Sequence, residues 1–75
     1  MNLVSKYSYI ELCNLLIGKI VNFKSDCQLF DNFDVTGKVI NIDISKTNEY
    51  MIEIMCKGKK YDIGSNMHNL SFQII

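Results

Sequence analysis

The chain has 75 residues, 48% of them hydrophobic and 21% charged, with eight Lys against eight acids and a formal net charge of zero. That length makes one domain, near the size at which folding buries only about 60% of the surface of the unfolded chain. The balanced charge excludes the broad basic field on which sequence-independent nucleic-acid binding rests, and with no Arg the chain also lacks the side chain best suited to bidentate capture of phosphate or guanine.

Arg, Ala, Pro and Trp are absent while Ile, Asn and Lys are abundant. This is the bias of an A+T-rich genome and points to a bacterium of that type or a mobile element such as a phage. Cys13, Cys27 and Cys56 are odd in number and form no C-x-x-C pair, so free thiols in a reducing cytoplasm are expected. The apolar run Leu15-Leu16-Ile17 is far too short for a signal-peptide core or a membrane span, and a soluble cytoplasmic protein with no membrane partner is the expectation.

In chain order, Ser8-Tyr9-Ile10-Glu11 reads as a capping box, and Tyr9, Leu12, Cys13 and Leu16 then fall on one helical face before Gly18, a natural left-handed stop. The spacing predicts a helix over 9–17, whose apolar stripe must dock on a sheet because so short a helix is marginal alone. Residues 19–24 alternate as a strand, with Val21 and Phe23 on one face and Ile20 and Asn22 on the other. Residues 25–34 show no clean period and are expected to form a long loop, with Asp26, Asp31 and Asp34 interleaved among Leu29, Phe30 and Phe33. Its rings either tuck over an open end of the fold or join the acids in a contact surface for a basic partner.

Residues 36–65 hold three strand-like runs whose alternations fit one another. Ile40, Ile42 and Ile44 share a face of the first run; Tyr50, Ile52, Ile54 and Cys56 share one of the second; Tyr61 and Ile63 share one of the third. A two-residue turn at Lys57-Gly58 sets Ile54 opposite Tyr61 and Ile52 opposite Ile63, and a five-residue loop sets Ile42 opposite Ile52. The opposite side carries Val39, Met51 and Met55 among Asn41, Asp43 and Glu53. A Gly- and Asn-rich turn over 64–69 leads to a last strand with Leu70, Phe72 and Ile74 inward and Ser71 and Gln73 outward. The expected core is Leu12, Leu16, Phe23, Ile40, Ile42, Ile52, Ile54, Ile63, Leu70 and Phe72.

One short helix and five short strands make a mainly β domain, a strongly bent antiparallel sheet closing on itself as a small barrel. Leu16-Ile17-Gly18-Lys19-x-Val21, then Gly37-Lys38-Val39 and Ile42-Asp43, then Ile63-Gly64-Ser65-Asn66 before a final apolar strand, resemble the Sm-like branch of SH3-like small barrels. The resemblance implies an RNA site lined by an Asn, for which Asn48 is the nearest counterpart, although Ile63 stands where the family carries Arg or Lys before the second Gly.

No catalytic constellation accompanies this fold. His68 is the only histidine and is most simply a turn residue, the acids do not fit a calcium loop, and no Gly-rich phosphate cradle occurs. The sequence therefore predicts a non-enzymatic module with no cofactor and no metal, acting through a protein interface made by Asp26, Leu29, Phe30, Asp31, Phe33, Asp34, Met51 and Met55, as an inhibitor encoded by a phage or similar element. The alternative is a binder of RNA or single-stranded nucleic acid through Lys57, Lys59, Lys60 and Asn48, and a third reading is an oligomer that sequesters a small nucleotide signal between subunits. A homo-oligomer is expected on the ground that so small a domain gains from burying more surface.

Overall fold

The computed structural model describes residues 2–25, 33–45, 49–67 and 69–75. Strand β1 (Asn2–Leu3) runs through a single 3-10 turn (Val4–Lys6) into helix α1 (Tyr9–Leu16), followed by β2 (Ile20–Ser25), β3 (Phe33–Ile44), β4 (Tyr50–Cys56), β5 (Lys59–Gly64) and β6 (Ser71–Ile74). All pairings are antiparallel and form one sheet in the order β1-β6-β2-β3-β4-β5, with β1 and β5 at its open edges. The described part measures 30 × 29 × 22 Å.

The helix begins where the capping box places it. Ser8 Oγ accepts from the Glu11 amide at 3.2 Å, and the Glu11 carboxylate accepts from the Ser8 amide at 3.0 Å, so two amides left without helical partners are satisfied reciprocally. Gly18 ends the turn at φ +86, and Leu12 and Leu16 are fully buried against the sheet with Tyr9 and Cys13 packed beside them. The Tyr9 hydroxyl donates to the Ile42 carbonyl at 2.8 Å, which fixes α1 over the middle of the sheet. Ser8→Ala should lower stability by ~0.5 to 2 kcal/mol while leaving the β spectrum intact, as chemical denaturation monitored by circular dichroism will show.

The meander forms in the register its alternation predicts from Ile42 to Ile63, with a break at Ile40. Lys57 and Gly58 both take positive φ, at 51 and 79, a two-residue turn whose twist matches that of the flanking strands. Ile54 lies opposite Tyr61, Ile52 opposite Ile63, Ile42 opposite Ile52 and Ile44 opposite Tyr50. Val4, Val21, Phe23, Val39, Ile42, Ile52, Ile54, Ile63, Leu70 and Phe72 join the two helix leucines in one buried cluster.

Several expectations are corrected. Ile40 is not in the core: Val39 pairs with Ile54 and Asn41 with Glu53, so Ile40 is the extra residue of a β-bulge and turns outward, while Val39 takes the buried place. Tyr61, on the edge strand β5, and Ile74, the last residue of β6, are half exposed although they pair with buried Ile54 and Val21, and Ser71 is buried rather than outward, at the position where β6 is also paired to β1. Among the described residues there are six strands rather than five, because Asn2 and Leu3 pair with Phe72 and Ser71 and carry Val4 into the core. Phe33 and Asp34 belong to β3 and not to a loop: β3 starts at Phe33, paired with Ser25, and runs 12 residues along β2 and then β4.

Candidate functional site

The two sides of the meander differ sharply. One side is the core, and α1 packs there, since Leu12 and Leu16 share the buried cluster with Ile42, Ile52 and Ile54. Among the described residues the other side carries no helix. It presents Ile40, Met51 and Met55, which remain 39%, 41% and 41% exposed, and the bulge is what re-aims Ile40 onto it.

Pairing arranges the polar residues of this face in rows across the strands. Asp43 stands beside Met51, Asn41 beside Glu53 and Lys38 beside Met55 on the β3 side, while Asp62 stands beside Glu53 and Lys60 beside Met55 on the β5 side. The end of the face near Met51 is thus acidic and the end near Met55 basic. The Lys60 ammonium reaches the Glu53 carboxylate at 2.7 Å, and Asn41 donates to Asp43 at 3.0 Å.

Lys60 and, after it, the Asn41 amide hold the Glu53 carboxyl below the usual range, and Glu53 in turn raises Lys60. A carboxyl whose folded pKa is depressed contributes stability above its unfolded pKa of about 4.3, and that contribution disappears as pH falls through the folded value. The gap in melting temperature between the native chain and Glu53→Gln should therefore be widest near neutral pH and close below about pH 4. A pH-independent gap would mean that the pair does not form in solution.

Of the residues expected to make a protein interface, Met51 and Met55 lie together on the open face. Asp26, Leu29, Phe30 and Asp31 lie outside the described residues. Phe33 is partly buried and packs against the core at the start of β3, opposite Ser25 of β2. Asp34 is exposed but accepts from Asn22 Nδ2 at 2.7 Å, a cross-strand tie within the sheet. The basic hairpin is as drawn from the sequence, with Lys57, Lys59 and Lys60 all exposed, except that Lys60 is engaged by Glu53. Asn48, Cys27 and His68 lie outside the described residues.

Sequence reasoning left Ile40 off this face. The Val39-Ile40-Asn41 step, two apolar residues before a polar one, was the available signal of a break in alternation.

No family model, curated protein or solved structure matches this chain. Among the described residues no group of three or more His, Cys, Asp or Glu is placed to hold a metal ion, and no helix is long and apolar enough to cross a membrane. Cys13 and Cys56 are half-buried free thiols. The chemistry this face offers is contact: flexible thioethers and one branched aliphatic side chain for apolar burial, with charges of both signs to orient what arrives.

Proposed function

We propose that the protein is a non-enzymatic binding module that docks a protein on the open face of its meander. The observation that carries this reading is the placement of α1 on the core side, which leaves Ile40, Met51 and Met55 exposed together on the outer side of the meander. Met is well suited to such a surface because its unbranched, polarizable side chain adapts to the shape it meets. The A+T-rich amino-acid bias and small size support a further element of the reading, that the module is made by a phage or similar element to inhibit a host protein. An Sm-like or SH3-like barrel remains part of the proposal, supported by the helix that passes through Gly18 into β2 and by the long β3 shared between both halves of the sheet.

The test pairs two variants in a capture experiment from bacterial lysate with mass-spectrometric identification. Met51→Glu with Met55→Glu should keep the fold, because both side chains face away from the core, and should lose the captured protein. Lys57→Glu with Lys59→Glu should keep it. Binding to single-stranded RNA that falls steeply between two salt concentrations, and that is lost in the Lys variant only, would overturn the reading in favour of phosphate contacts.

A further inference from the structure

The charge pattern of the open face allows its occupant to be named. Along the strands the face is polar, with Asp43 beside Met51 at one end and Lys38 and Lys60 beside Met55 at the other. Met51 and Met55 are four residues apart on β4, roughly 13 Å at strand spacing. A two-fold axis lying in the plane of the face and crossing the strands over Ile40 and Glu53 reverses this order. It lays Met51 of one copy on Met55 of the other and Asp43 over Lys38, twice by symmetry.

On this basis we infer that, when no captured protein occupies it, the face is covered by a second copy of this chain, packed sheet on sheet with its strands antiparallel; the inference rests on the docking-face reading above. Such an arrangement is isologous and closes at two subunits. At the axis Glu53 meets its own mate, but each is paired to Lys60 of its own subunit at 2.7 Å, so the like charges are offset before the faces meet. Asp62 stands on β5, the edge strand, at the rim where water screens it. The two sheets would cross at about −30°, as twisted sheets do when packed face to face. Ile40, Met51 and Met55 supply the apolar contact and each is already more than half covered in the single chain, so the dimer should be weak and dependent on concentration.

Analytical ultracentrifugation over a wide concentration series decides it, with circular dichroism confirming that each variant is folded. The native chain should move from monomer to dimer and no further. Met51→Glu with Met55→Glu should raise the dissociation constant at least about tenfold. Lys38→Glu and Asp43→Lys, each alone, should weaken self-association, and an equimolar mixture of the two should restore a heterodimer, since the first has an acidic face and the second a basic one. A native chain that stays monomeric at every concentration, or a dimer that ignores all these substitutions, overturns the inference. A monomer whose Met variant still loses its captured protein would leave the docking-face reading standing alone; a Met variant that changes neither readout would remove both.

Discussion

Phe23→Ala is expected to leave the protein largely unfolded at 37 °C. Phe23 has no solvent-exposed surface and sits on β2, where it pairs with Val35 of β3 on one side and Phe72 of β6 on the other. Phe72 in turn packs at a tilt against Tyr7, with ring centroids 5.4 Å apart, so this cluster ties the amino-terminal segment and both flanking strands to the middle of the sheet. Truncating a buried Phe to Ala costs about 3 to 5 kcal/mol, part of it lost transfer and part the cavity left behind. A domain of this length has only some 4 to 11 kcal/mol in total, at roughly 0.05 to 0.15 kcal/mol per residue. Urea denaturation followed by circular dichroism measures the loss, and a midpoint equal to that of the native chain would show that β2 does not run through the core.

Gly37→Ala should destabilise where a strand glycine replaced by alanine ordinarily gains. Glycine inside a strand is usually less favourable than alanine by about 0.5 to 1 kcal/mol. At Gly37, however, a Cβ atom would lie 2.7 Å from the carbonyl oxygen of Met55 and 3.2 Å from its carbon, both backbone atoms of β4 that no rotamer change can move aside. Gly37 is held by β2 on its other side through Val21, so relief requires the three central strands to part. Overpacking of this kind costs typically 1 to 3 kcal/mol, and Gly37→Val should be worse than Gly37→Ala. A gain in melting temperature for Gly37→Ala would mean that β3 and β4 are farther apart in solution than described here.

The parts of the fold that were legible in the sequence are those governed by strict period-two alternation and by local turn chemistry. Tyr50 to Cys56 alternate without interruption, and Lys57-Gly58 admits one hairpin geometry, so the register of β4 against β5 followed directly. The capping box and Gly18 bounded α1 for the same local reason. What was not legible depends on pairing between distant segments. Ile40, Ile42 and Ile44 alternate perfectly on paper, but the ladder to β4 inserts its extra residue at Ile40, and only the partner strand makes that visible. Asn2 and Leu3 are too few to show a period, and they become a strand because β6 offers an edge. The candidate face was half legible: Met51 and Met55 were assigned to the outer side, while Ile40 reached it through the bulge.

The bulge also makes the length of the longest strand negotiable. Deleting Ile40 joins Val39 to Asn41 and gives inward Val39, outward Asn41 and inward Ile42, an unbroken ladder against Ile54, Glu53 and Ile52. The same deletion made at Glu53 would set Ile52 beside Ile54, and one of the two buried side chains would have to turn into water. A one-residue frame change in β3 is thus absorbed without cost to the interior, and its whole effect falls on the outer surface, where one aliphatic side chain vanishes and the local twist relaxes. The outer surface and the folded core can therefore drift independently at this position, so that shortened and full-length forms of the strand share one core while presenting different faces.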